Sequence, residues 1–219
     1  MIWKFRLLVL LIGIFVVGVS ISNLVAEILR PAPSELPSRT GTAPTSDQIS
    51  SARRAAAIAP FRWDLKADYA LALAGQTLKS QHAARSQSDE TAQNAVKDAL
   101  SIGPHDSRMW LVLGLLQERN NPEDALIAES LKMSYFTGPN RATLIPTRLD
   151  AVTSGNVLRD TDLKELAHGD VRAIVTLLPG QRQALVNDYV HGSAMGKAFL
   201  EDGVRALDPK FADALRNAK

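Results

Sequence analysis

Histidines, paired acidic residues and a glycine-rich run are the features of this 219-residue sequence that could support chemistry. Glu165 and His168 form an E-x-x-H pattern, which on a helix supplies half of a carboxylate-bridged di-metal site. The sequence contains no second E-x-x-H and no H-E-x-x-H motif. We therefore expect no metal site at this pair, and we interpret His168 as a surface histidine near a helix end.

The run from residue 192 to 198, GSAMGKA, superficially resembles a phosphate-binding loop. It is one residue short between its glycines and lacks the Ser or Thr that would bind magnesium, so the cradle geometry is not present. The small residues at positions 192, 194 and 196 instead predict two helices that pack closely.

Two pairs of carboxylates, Asp160 with Asp162 and Glu201 with Asp202, lack a neighbouring cluster that would shift their acidity. We interpret them as helix caps and solvated faces. The chain has no cysteine, which excludes disulfides, thiolate metal sites and cysteine nucleophiles. The sequence therefore predicts no catalytic residue, no metal site and no cofactor site.

Aromatic residues are the remaining candidates for recognition, because they are enriched at protein interfaces. Trp110 lies within an apolar run and is expected in the core. Trp63, between Arg62 and Asp64 near a helix start, is the candidate exposed anchor for a partner, and a core position is the alternative.

These residues follow an N-terminal segment that reads as one membrane-inserting helix. No polar side chain occurs from Leu7 to Val19, and the stretch from Leu7 to Ala26 is long enough to cross a bilayer core of about 30 Å. Positive charge is concentrated before the segment, which predicts a cytoplasmic N-terminus and places residues 31–219 on the other side. A cleaved signal peptide is the alternative, but the apolar stretch is longer than such peptides require and no clean A-x-A site follows it.

Three polar residues, Ser20, Asn23 and Glu27, share one helical face at the outward end of this segment. A contact stripe for another membrane helix is one interpretation. The other, which their position at one end favours, is that the helix leaves the bilayer there and the three residues lie among headgroups.

The composition divides the chain into an anchor at residues 1–30, a proline-rich linker at residues 31–46 and a helical domain at residues 47–219. Three basic residues and one acidic residue lie in the first thirty, so residues 31–219 carry 22 of each sign. A neutral domain without a basic cluster is not built to hold phosphates, so nucleic acid is not an expected partner.

Residues typical of helix starts and ends recur through the domain, and no stretch shows the sustained alternation of apolar and polar residues that indicates a β-strand. Thr45 and Gln48 fit a capping box, and the run from Met109 to Leu116 predicts a helix at the centre of the core. We expect an all-α domain of eight or nine helices, with an interruption near Gly169 and a last helix that ends before Asp208.

A weak repeat accompanies the helices. Prolines at positions 60, 104, 139 and 209 lie within similar short stretches at the ends of helix pairs, and they are separated by 44, 35 and 70 residues. The second and third intervals are close to one and two periods of a 34-residue helix-turn-helix repeat. Residues 110–114 read W-L-V-L-G, and Ala92 and Ala99 occupy small-residue positions before Pro104.

Residues 57–140 thus resemble the tetratricopeptide-repeat family. The pattern departs from that family at Gln117, where tyrosine is preferred, at Ser134, where alanine is preferred, and by an insertion in the first interval. The resemblance implies an irregular stack of antiparallel helix pairs that binds proteins through a concave groove. An ordinary helical domain whose prolines only end helices is the alternative.

Together these features predict a non-enzymatic protein of the bacterial inner membrane, anchored through residues 7–29, whose periplasmic helical domain binds another protein. The plan is similar to bacterial single-pass proteins of envelope or polysaccharide assembly. The alternatives are a helical envelope enzyme or glycan-processing domain with unidentified acid residues, and a soluble periplasmic module released by signal cleavage.

Overall fold

The structure is a computed structural model that describes residues 2–32, 36–37, 42–80 and 87–218. These residues form eleven α-helices and no β-strand, so the predicted all-α class is confirmed. The helices in chain order are α1 (Ile2–Leu29), α2 (Ser46–Ile58), α3 (Trp63–Lys79), α4 (Gln87–Ile102), α5 (Ser107–Asn120), α6 (Leu126–Thr137), α7 (Ile145–Ser154), α8 (Thr161–Thr176), α9 (Arg182–His191), α10 (Ala194–Arg205) and α11 (Pro209–Arg216). Short 3-10 turns occur at Val157–Arg159 and Pro179–Gln181.

The N-terminal helix α1 projects from the rest of the chain. It is the one helix in the described part of the chain that is long and apolar enough to cross a membrane, and its most apolar window has no buried residue. A core helix of similar length would be mostly buried. Near its C-terminal end Ala26 is fully buried where α1 meets α2 and α3, so the helix is attached to the domain by its last turns.

Helices α3 to α6 form two consecutive hairpins. The α3 helix packs on α4 and α5 packs on α6, while α5 also contacts both helices of the preceding pair. The predicted apolar run lies on α5 and contributes to two hydrophobic clusters at once. Met109, Val112 and Leu116 face α3 and α4, whereas Leu111 faces the C-terminal half. The central role expected of this run is confirmed.

Helices α7 to α11 surround the cluster that contains Leu111, which we call the second cluster. Its other buried side chains include Leu149, Leu163, Val171 and Leu200. The described part of the proline-rich linker lies against this body. Leu36 packs against both clusters, and the ring of Pro44 lies 3.1 Å from the position that a Cβ on Gly75 would occupy.

Local capping signals in the sequence agree with the structure. Thr45 and Gln48 form the predicted reciprocal capping box at the start of α2. Pro146 lies in the first turn of α7, so the helix begins there rather than bending at that residue.

Within the described residues, ten α-helices follow α1 instead of eight or nine, and the interruption predicted near Gly169 is absent. The α8 helix continues through Gly169, because one glycine lowers helix propensity by only about 1 kcal/mol and packing of the buried face exceeds that amount. The Asp-Pro pair that follows α10 starts a further helix, α11. Asp208 accepts a hydrogen bond from the Phe211 amide, and Pro209 occupies the first turn.

Small residues bring α10 close to α7, as their spacing predicts. A Cβ on Gly196 would lie 2.8 Å from the Thr153 carbonyl carbon, and the Gly192 to Ser193 connection is held by the Ser193 amide, which donates to the Thr153 carbonyl at 2.9 Å. The glycine-rich run therefore has a packing role between two helices.

Replacing Gly196 with alanine tests this close packing. We expect Gly196→Ala to lower the free energy of unfolding by about 1–3 kcal/mol, because the obstructing atoms belong to the α7 backbone and cannot rotate away. The matched control is Gly169→Ala in α8, where a Cβ meets nothing within 4 Å, and it should raise stability by up to ~1 kcal/mol. Urea denaturation of the full chain in detergent micelles, followed by circular dichroism, measures both. Equal effects of the two variants would contradict the packing role.

Candidate membrane-proximal site

A group of charged side chains joins the end of α1 to the start of α3. Arg30 donates to the Asp68 carboxylate at 2.7 Å and lies 3.4 Å from Asp64 and 3.3 Å from Glu27. Asp68 is only 4 % exposed, so its charge is largely removed from water. Arg30 provides the nearby cation that a buried carboxylate needs.

Burial and the arginine act on Asp68 in opposite directions. Burial raises the pKa of Asp68, and Arg30 lowers it through its charge and its hydrogen bond. The net direction is upward, which shows that desolvation exceeds the attraction to Arg30. Arg30 therefore offsets part of the cost of burying this carboxylate, and it does so from the end of α1.

A second arginine closes the group from the turn between α2 and α3. Arg62 donates to Glu27 at 2.8 Å and forms a paired, two-nitrogen contact with Asp64. The Arg62 guanidinium holds the pKa of Asp64 below its ordinary value. Glu27 is on α1 and Arg62 is on the domain, so this contact adds to the one between Arg30 and Asp68. We call these two contacts the joint between α1 and the domain.

Directly beside this group, α1 and the turn between α2 and α3 enclose an open groove of about 500 Å³. One wall is the face of α1 from Phe15 to Asn23, and the other is the turn from Ile58 to Arg62. The Phe61 side chain in that turn is 89 % exposed, the highest exposure among the large apolar side chains of the described residues.

The four residues predicted to bind a partner lie in different surroundings. Asn23 lines the groove, and Glu27 is paired with Arg62 and Arg30, so the structure brings these two to the joint. Ser20 is exposed and donates to the Val16 carbonyl in its own helix at 2.8 Å. Trp63 is 44 % exposed, and one face of its ring packs against Gly103 at the turn before α5.

A second groove, of about 410 Å³, lies between α2, α3 and α4. Its walls carry both signs of charge together with amide and hydroxyl groups. The lining residues are Arg53, Ala56, Ala57, Lys66, Tyr69, Thr91, Asn94, Ala95 and Asp98.

The C-terminal half contains a buried polar group that sequence patterns did not indicate. Arg148 is fully buried and donates to the Gly138 carbonyl at 2.9 Å, to the Ser134 hydroxyl at 3.1 Å and to the Ser134 carbonyl. Its guanidinium lies 4.4 Å from the centre of the Tyr135 ring. The signal that could have found it is Ser134 itself, a polar residue at a position where the repeat pattern prefers alanine.

Asp170 completes this group at 4 % exposure. Burial raises the pKa of Asp170 to about 6, while the Tyr135 hydroxyl and the Arg148 charge oppose the increase. Burial likewise raises the pKa of Tyr135. Because Tyr135, Arg148 and Asp170 are all buried within packed helices, we interpret the group as a structural core element rather than a substrate site.

The other candidate chemical groups are also accounted for by packing. His168 lies against Phe199, with ring centres 4.5 Å apart, and next to Gly203. Asp160 caps α8 by accepting from the Leu163 amide, and Glu201 accepts from Tyr189 and Arg216. Within the described ranges, no three His, Asp or Glu side chains are grouped to hold a metal ion.

Comparison of the chain with protein-family profiles, with curated proteins and with solved structures gives no match in any of the three. The likeness to tetratricopeptide repeats therefore rests on the residues quoted above.

Breaking the joint at Arg30 should destabilise the attachment of α1. Arg30→Met keeps an apolar stem but leaves the Asp68 carboxylate buried without its cation. We expect a loss on the order of 2 kcal/mol, below the roughly 3–5 kcal/mol of a fully buried pair because Arg30 is itself part-exposed. Arg54→Met is the matched control, since exposed Arg54 donates only to the neighbouring Ser51 among the bonds described. Urea denaturation and amide exchange at residues 26–30 measure the difference, and equal exchange in both variants would argue against the joint.

The raised pKa of Asp170 gives a pH dependence of defined sign. The folded state favours the protonated acid, so the penalty for burying the charge is absent below about pH 4 and is complete above about pH 6. Relative to Asp170→Asn, the natural chain should lose up to about 3 kcal/mol of stability as the pH rises through that window. Denaturation curves of both proteins at several pH values test this, and parallel curves would show that the pKa is not raised.

Proposed function

We propose that the chain is a non-enzymatic adaptor of the bacterial inner membrane, anchored by α1, whose helical domain lies in the periplasm and binds another protein. The support comes from the way a stack of helices is attached to an apolar helix and from the surface that this attachment leaves open.

The observation that carries the proposal is the groove between α2, α3 and α4. It is lined by three helices and combines cations, a carboxylate and an amide with the apolar surface of three alanines and Tyr69. Polar groups combined with an apolar surface suit a peptide segment or helix of another protein, because its backbone and its side chains both find partners there.

The order of packing between helices supports the same proposal. Two hairpins, α3 with α4 and α5 with α6, are stacked so that the first helix of the second pair contacts both helices of the first. Tetratricopeptide repeats use this order of contacts, and proteins of that family mostly bind other proteins. Gln117 and Ser134, the two departures from the family pattern, are both buried with partners: Ser130 donates to Gln117 at 2.7 Å, and Ser134 donates to the Ser107 carbonyl at 2.8 Å. The departures thus fit within the helix pairs without opening them.

The proposed topology rests on charge and on the joint. Lys4 and Arg6 precede the apolar segment, which favours a cytoplasmic N-terminus. The polar face of Asn23 and Glu27 meets the domain at the other end, where Arg62 contacts Glu27. A periplasmic adaptor held this way would present its α2–α4 groove at a fixed orientation to the membrane, which suits assembly of envelope or polysaccharide machinery.

Site-specific photo-crosslinking in intact cells tests the proposal. A photoreactive amino acid is placed at Asn94 in the α2–α4 groove, at Trp63 and, as the matched control, at Arg172 on the exposed face of α8. We expect one protein species to be captured from Asn94 at a level several-fold above Arg172, and from Trp63 if that residue borders the same interface. Capture at Arg172 alone, or capture of glycan without protein at all three positions, would contradict the adaptor. Carbonate extraction of the same membranes shows whether the chain stays anchored.

A further inference from the structure

The turn between α2 and α3 exposes apolar side chains beside the groove that it forms with α1. We define the Phe61 turn as residues 58–62, with sequence I-A-P-F-R. Phe61 is 89 % exposed and Ile58 is 36 % exposed, although neither is needed to cover a core cluster. Large apolar side chains exposed together at one turn indicate a surface that meets something apolar.

The position of this turn along α1 is fixed by its contacts. The Phe61 turn forms a groove with the face of α1 between Phe15 and Asn23, so it lies beside the apolar segment rather than beyond its end. The eight steps between these nine residues correspond to a helix rise of about 12 Å, roughly two fifths of a bilayer core of about 30 Å.

The direction of α2 agrees with this placement. The start of α2 follows Pro44, which touches Gly75 near the far end of α3, whereas α3 begins at the joint with α1. The α2 helix therefore runs back from the body of the domain toward the apolar segment. The Phe61 turn follows at the end of α2 that lies beside α1.

Polar groups of the turn are arranged for such an environment. Pro60 has no backbone N–H, and the Arg62 amide donates to the Ala59 carbonyl at 3.0 Å, so the turn closes on itself. The Arg62 side chain lines the domain side of the groove, and its guanidinium donates to Glu27. Exposed Arg54 lies four residues before Ile58 on the same face of α2.

We propose that the Phe61 turn is a second membrane contact, in which Phe61 and Ile58 insert into the domain-side leaflet and phospholipid acyl chains occupy the groove against α1. The occupant is the bilayer itself, because the groove is continuous with the exposed apolar surface of α1 and carries a cation only on its domain side. This inference rests on the proposed membrane anchoring by α1. It makes the domain a surface-bound body that rests on the membrane at two points.

Depth-dependent quenching can test the contact, and the natural absence of cysteine permits single labels without other changes. A fluorophore is attached to Phe61→Cys in the full chain, reconstituted in vesicles of phosphatidylethanolamine and phosphatidylglycerol that contain a nitroxide on the acyl chain. Two controls accompany it. Gly13→Cys lies in the middle of α1, where added atoms meet nothing within 4 Å, and Phe136→Cys is an apolar position on α6 with 64 % exposure.

We expect strong quenching at position 13 and quenching at position 61 that is several-fold greater than at position 136. If position 13 is quenched while position 61 behaves like position 136, the second contact is wrong and the anchor stands. If position 13 is not quenched, the membrane anchoring itself fails. Energy transfer between labels at position 61 that grows with the protein-to-lipid ratio would assign the groove to a second copy of the chain and overturn the lipid contact.

Discussion

The contact between Arg30 and Asp68 determines how the two parts of this molecule are related. Asp68 lies inside the domain, where its charge is unfavourable without a cation, and the nearest cation comes from the end of the apolar helix. The contact therefore favours one position of α1 relative to the domain, because Arg30 must stay next to Asp68. Two further contacts cross from α1 to the domain, between Arg30 and Asp64 and between Glu27 and Arg62. Moving α1 away from the domain would therefore separate several pairs of opposite charges at once.

The domain itself depends on α5, which is shared by two clusters of buried side chains. One cluster joins α3, α4 and α5, the other joins α5 and α6 to the helices that follow, and Leu36 packs against both. Inside the cluster that contains α6 to α11, buried Arg148 joins α7 to the C-terminal end of α6 through hydrogen bonds, and the buried Asp170 of α8 interacts with its charge. Polar contacts of this kind add little net stability but penalise alternative packings, because each donor has few acceptors that it can reach.

Features that depend on neighbours in sequence could be predicted, and features that depend on distant segments could not. The capping box at Thr45, the apolar run of α5 and the close packing at Gly196 follow from local chemistry or from the sizes of a few residues. The pairing of Arg30 with Asp68 joins residues 38 positions apart, and no local pattern indicates it. Asp208 shows the intermediate case, since the same Asp-Pro pair is both a signal to end one helix and a signal to begin another. Of the four residues predicted for partner binding, the structure places Asn23 and Glu27 at the joint, although a role in binding stays a prediction for all four.

The firm attachment of α1 has a mechanical consequence. A helix that spans a bilayer changes its tilt when the hydrocarbon thickness changes, and a flexible tether would absorb that rotation. If α1 spans a bilayer as proposed, that rotation would pass through the contacts of Arg30 and Glu27 to the body of the domain, which would act as a lever arm. A tilt change of roughly 10° displaces a point ~30 Å from the joint by about 5 Å, so a partner on the α2–α4 groove would be moved by the thickness of the membrane beneath it.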